Sequence, residues 1–193
     1  MNYKKSLIIA ALASTMLPVM AQDDSTTKNN VRVDQLSLAS AVQAAQVSIN
    51  TCREAGAKVS AAVVDRNGLT QVILRDTFSS PISVELSRKK AFTAANFSKN
   101  TTQLANLSDT AVGRTDGVLM SAGGVLIKLD DTIYGAIGVS GAETGAIDDN
   151  CAKAGAKAIT DAITADKALA LELEAAKEKE TGEKAAEGET QKP

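Results

Sequence analysis

Tyr134 to Gly141 reads Tyr-Gly-Ala-Ile-Gly-Val-Ser-Gly, and it constrains the fold more than any other stretch of this chain. Small or glycine positions alternate there with β-branched ones. β-branched residues suit a strand, whereas glycine inside a strand weakens it unless another backbone must come close. The segment therefore predicts a buried strand with one face kept flat, so that a second surface packs directly on it. Gly135, Gly138 and Gly141 recur at every third position, but inside a strand. That setting speaks for packing. A phosphate-binding loop needs its glycines between a strand and a helix, and no Walker loop or GxGxxG of that kind is present.

The rest of the chain supplies partners for that strand. Asp34 is placed to cap a helix to about Ala55, with an apolar stripe of Leu38, Val42, Ala45, Ile49 and Cys52, and Gly56 ends it. Val59 to Val64 reads as a buried strand, Asp65-Arg66-Asn67-Gly68 as a hairpin turn and Leu69 to Leu74 as the returning strand. After the polar loop Asp76 to Ser80, Ser80 and Pro81 open a helix to about Phe97. A short helix around Thr102 to Leu107 and a loop to Asp116 follow. Gly117 to Ser121 and Val125 to Leu129 are expected strands around Gly123-Gly124, and Thr132 to Ser140 is the last. A final helix carries Asp148 and Asp149 in its first turn, where acids suit the helix dipole, and continues through Leu173. From about Ala175 the apolar residues other than alanine vanish, which predicts a frayed, disordered tail. Short connections between strands favour one antiparallel five-stranded sheet with packed helices, an α+β layout.

The first 21 residues look like a secretory signal. Lys4 and Lys5 precede the apolar run Leu7 to Leu17, which is too short to span a bilayer, and Val19-Met20-Ala21 resembles a cleavage site. The alternative is an uncleaved anchor. The expected divisions are a signal over 1–21, a flexible leader over 22–33, a domain over 34–165 and a charged helical extension and tail over 166–193. The exported chain would be periplasmic or extracellular, with no membrane anchor. Without the signal it would hold 19 basic against 23 acidic residues, a balance that disfavours nucleic acid. Two cysteines, Cys52 and Cys151, both fall on helical stripes. An even count in an oxidising compartment suggests a disulfide closing a loop of about 100 residues, worth on the order of 4–5 kcal/mol in the chain-entropy model. Two separately buried thiols are the alternative.

The chain has no histidine, which removes Ser-His-Asp and Cys-His catalysis and the commonest metal ligand. No metal site and no catalytic residue are expected. Asp65, Asp76, Asp130 and Asp131 sit at predicted turns, where aspartate is favoured for its backbone hydrogen bonds. Arg88, Lys89 and Lys90 form a basic run that is either a solvated face or an attraction for a carboxylate. Thr93 stands mid-helix, where a β-branched hydroxyl residue is not preferred, one turn from Lys90 and Phe97. An apolar helix face with one hydroxyl and one ammonium suits a flat amphipathic ligand. A threonine bonded back to a helix carbonyl is the structural alternative, and spacing alone favours it.

Several short motifs, in order, resemble the GlcG/HbpS family over roughly Asp34 to Ala158. They are Val63-Val64-Asp65 with Asn67-Gly68, Arg75-Asp76, Lys90-Ala91-Phe92-Thr93-Ala94, Gly123-Gly124, Gly135 to Gly141, and Asp148 with Ala154-Gly155. The resemblance implies a profilin-like or PAS-like domain that assembles into homo-oligomers, binds haem and, in some exported members, works beside a membrane sensor. It assigns haem contact to Thr93, with Lys90, Arg75 and Asp76 as neighbours, and helix spacing adds Phe97 to the expected haem face. This chain departs from the family in the Asp76 to Ser80 loop, which lacks a Gly-Ala and a histidine. The remaining axial ligands would be Met120, Tyr134, Cys52 and Cys151. The expected function is an exported, non-enzymatic haem-binding or haem- and redox-sensing module. A cofactor-free oligomeric scaffold is the alternative, followed by an accessory enzyme for small oxyacids or corrinoids.

Overall fold

Alternation along the strands sorts the fold into three layers. In the computed structural model, which describes residues 33–189 and side chains to residue 178, the chain forms α1 (Leu38–Glu54), β1 (Ser60–Asp65), β2 (Thr70–Arg75) and α2 (Ile82–Phe97). A 3-10 segment (Thr101–Leu107), β3 (Gly124–Leu129), β4 (Thr132–Ser140) and α3 (Gly145–Glu189) follow. The expected signal and all of the leader but Val33 lie outside the described residues. The sheet is antiparallel with strand order β2-β1-β4-β3. Val63, Ile137 and Val139 join a core with α1 and α3, while their neighbours Val64 and Ala136 join a second cluster with Ala91, Ala94 and Ala95 of α2. Successive strand residues point to opposite faces, so α1 and α3 cover one face and α2 the other.

The flat strand face is the seat of α2. A Cβ on Gly138 would strike the backbone of Ser87 and Ala91, and one on Gly124 would strike the Lys90 carbonyl. The same economy of side chains joins α1 to α3, where a Cβ on Gly155 would meet the Ala44 carbonyl and Ser48 Oγ. That close crossing selects the buried face of α1: Ala41, Ala44, Ala45, Ser48, Ile49 and Cys52 are buried, while Leu38 and Val42 stay exposed. The helix begins after Ser37, whose hydroxyl accepts from the Ser40 amide at 3.1 Å, and not at Asp34. Cys52 and Cys151 are joined in a disulfide between the two helices.

The β1–β2 turn follows the chemistry of its residues. Asp65 Oδ1 accepts from the Asn67 and Leu69 amides, and Gly68 takes a φ of +84°. The sheet has four strands among the described residues, not five. Val118 to Met120 stays out of the ladder, and the Leu119 amide instead donates to Thr93 Oγ1 on α2 at 2.8 Å. The β3 edge is already occupied: Asn100 Oδ1 accepts from the Leu126 amide and Thr101 Oγ1 from the Gly124 amide, both at 2.9 Å. α3 continues as helix to Glu189, beyond Ala175 where fraying was expected. Its last turns are rich in alanine, glutamate and lysine, all strong helix formers.

Candidate functional site

Lys90 lies on the buried face of α2, 3% exposed, which a charged side chain tolerates only when fully partnered. Its Nζ donates to the Val139 carbonyl at 2.9 Å and to Asp148 Oδ2 at 2.8 Å. The other carboxylate oxygen of Asp148 accepts from the Ala142 amide at 3.1 Å. One buried ion pair thus fastens α2, the end of β4 and the first turn of α3, and it fixes the turn between the last two. Thr93 is fully buried. Its hydroxyl donates to the Lys89 carbonyl at 2.7 Å and accepts from the Leu119 amide. Phe97 is half-buried at the end of α2. The structure does not bring Lys90, Thr93 and Phe97 together on an open face.

Arg75 and Asp76 serve the loop that follows β2. The Arg75 guanidinium donates to the Ser79 carbonyl. Asp76 is buried and accepts from Arg53 Nε at 2.7 Å. That hydrogen bond holds the Asp76 carboxyl below its ordinary range against the desolvation that opposes it, and it raises Arg53 in turn. Inside the loop, Ser83 Oγ lies 2.7 Å from both Ser60 Oγ and Ser79 Oγ and donates to the Ser80 carbonyl. The loop is anchored at both ends, while Phe78 at its tip is 83% exposed.

These two frames meet at a cleft of about 530 Å³. Its walls are the turn Ala55 to Lys58 after α1, Phe78 and Ser80 of the anchored loop, and the turn Gly141 to Glu143 with Ile147 of α3. Lys58 and Glu143 are exposed, and neither forms an ion pair among the described residues. Sequence reasoning reached Arg75, Asp76 and the loop. It missed Arg53, Lys58 and Glu143, and it read Asp148 as a helix-dipole acid and a motif position without its partner Lys90. Arg53 and Asp76 are 23 positions apart and Lys90 and Asp148 are 58 apart, so no local spacing signals either pair.

The residues present do not fit axial ligation of a haem iron. Met120 and Tyr134 are buried, the Lys167 ammonium lies 5.9 Å from the Tyr134 ring centroid, and both cysteines are in the disulfide. None of them lines the cleft. The cleft also sets one cation against one anion, whereas haem presents two carboxylates.

Residues 36–157 match the family model described as haem degrading protein HbpS-like. Among solved structures, HbpS is 35% identical over 69% of this chain and 96% of its own, with a TM-score of 0.64. Streptomyces reticuli HbpS, as a double mutant with two glutamates changed to aspartate, is 30% identical over 80% of this chain and 98% of its own, also at 0.64. Klebsiella pneumoniae ORFY shares the fold at 24% identity and a TM-score of 0.66, covering 70% of this chain and 98% of its own. No curated protein matches the chain. A family model covering more than half the chain, together with relatives at this identity, makes the chain a member of the HbpS-like haem degrading protein family.

Proposed function

We propose that this chain is an exported haem-binding module, non-enzymatic, that reports haem or redox state. Family membership over residues 36–157 carries the proposal, and a structure of similar fold, PduOC, was solved as a haem complex. In this reading Thr93 meets the porphyrin only when Val118 to Met120 lifts from α2, which costs the Leu119–Thr93 hydrogen bond. Gly117 and Gly123, both at positive φ, flank that segment and serve as its hinges. Phe97 supplies apolar edge, Lys90 holds α2 in place through Asp148, and Arg75 and Asp76 shape the neighbouring loop. With no histidine in the chain and no accessible methionine or cysteine among the described residues, the porphyrin is held by its faces and carboxylates.

We further propose self-association and a protein partner such as a membrane sensor. Leu169, Leu171 and Leu173 of α3 are exposed, which supports a protein-facing role. No helix among the described residues is long and apolar enough to cross a membrane.

A haemin titration of the protein beginning at Gln22, followed through the Soret band, tests the binding. The expected result is a saturable, shifted band near one haemin per chain, weakened in Thr93→Val. A spectrum of free haemin alone would overturn the module and leave the cofactor-free scaffold. Following the bound band over time with ascorbate in air separates binding from degradation.

A further inference from the structure

The cleft between α1, the Phe78 loop and the β4–α3 turn is built for a ligand of different charge from haem. Its lining includes apolar side chains, Ala57, Ala142 and Ile147, together with the exposed ring of Phe78. Two opposite charges line it without a partner, Lys58 on the α1 side and Glu143 on the α3 side. The Lys58 charge is felt by Asp76, but that carboxylate is already bonded to Arg53. Each charge suits the helix end beside it: Lys58 follows the carbonyl end of α1, and Glu143 precedes the amide end of α3.

We propose that this cleft binds a small zwitterion with an apolar side chain, an α-amino acid or a peptide of two or three residues with free ends. Its ammonium meets Glu143. Its carboxylate meets Lys58, and its side chain lies against Ala57, Ala142, Ile147 and Phe78. A volume of about 530 Å³ lies within the range of small-molecule sites, roughly 300–1,000 Å³. The covalent and ionic ties already described hold the walls: the disulfide joins α1 to α3, and Asp148, paired with Lys90, holds the Ala142 amide. A preformed site of this kind avoids ordering its walls when the ligand arrives.

The test is calorimetric titration of the full chain with L-leucine and with Leu-Leu, each beside its N-acetylated and its C-amidated form. The expected result is a saturable Kd at or below about 1 mM for the free-ended probes, weakened roughly tenfold by blocking either end. Tighter binding of leucine or of Leu-Leu distinguishes the two sources. Lys58→Ala should abolish the distinction between free and amidated carboxyl ends, and Glu143→Gln that between free and acetylated amino ends. Both residues are exposed, so neither variant threatens folding. No saturable heat from either free-ended probe would overturn the proposal, as would binding indifferent to both variants. The result is independent of the haemin titration, since neither Lys58 nor Glu143 belongs to the haem reading.

Discussion

Lys90 Nζ and Asp148 Oδ2 lie 2.8 Å apart, on different helices and both almost wholly out of water. Their pairing, with the Val139 carbonyl and the Ala142 amide at either end, makes a short polar chain through a largely apolar interior. Such a pair is costly to break from one side, because the surviving charge is left buried without a partner.

Lys90→Met should therefore lose about 3–5 kcal/mol. Lys90→Met combined with Asp148→Leu should lose clearly less than the two single changes together. Urea unfolding of the four proteins as a double-mutant cycle measures the coupling. Simple additivity would show that the pair contributes nothing beyond its separate packing.

Gly138→Ala places a Cβ against the backbone of Ser87 and Ala91. Neither is the far end of a flexible side chain, so α2 itself must shift. Overpacking of this sort costs about 1–3 kcal/mol. A fall in the thermal midpoint, with circular dichroism of the folded protein unchanged, is the expected outcome. An unchanged midpoint would mean that α2 does not sit where the glycine face invites it.

The disulfide between Cys52 and Cys151 spans a sequence separation of 99. Its removal in the double change Cys52→Ala and Cys151→Ala should cost about 2–5 kcal/mol. Wild type under a dithiol reductant should approach the variant in a denaturant titration. Equal stability of oxidised and reduced wild type would remove the bridge as a stabilising element.

Acid should selectively undo the Arg53–Asp76 pair. The Asp76 carboxyl is held below its ordinary value, which is about 3.9, chiefly by its hydrogen bond from Arg53. A group lowered on folding contributes stability that is complete above its unfolded value and is lost as pH falls through its folded value. Wild type should exceed Asp76→Asn in stability at neutral pH, and the gap should close below about pH 4. A gap that stays constant into acid would assign the loss in the variant to packing. Thermal melts across that range decide between them.

Much of the fold follows from the chain alone. The glycine positions of β4 point to close packing, and at Gly138 the surface that comes close is α2. The antiparallel α+β layout and the Asp65–Gly68 hairpin follow from periodicity and turn chemistry, which act over a few neighbouring residues. The Gly117 to Ser121 segment reads as a fifth strand from those same signals. It leaves the sheet because Asn100 and Thr101 take the β3 edge and Thr93 takes the Leu119 amide. The site was harder to read for the same reason. Lys90 beside Phe92 and Thr93 suggests a ligand face, yet its ammonium is used by a carboxylate 58 positions away. Periodicity tells which face of a helix is apolar. Only the tertiary structure decides which polar groups find a partner within hydrogen-bonding distance, because those partners, as with Lys90 and Asp148, come from distant parts of the chain.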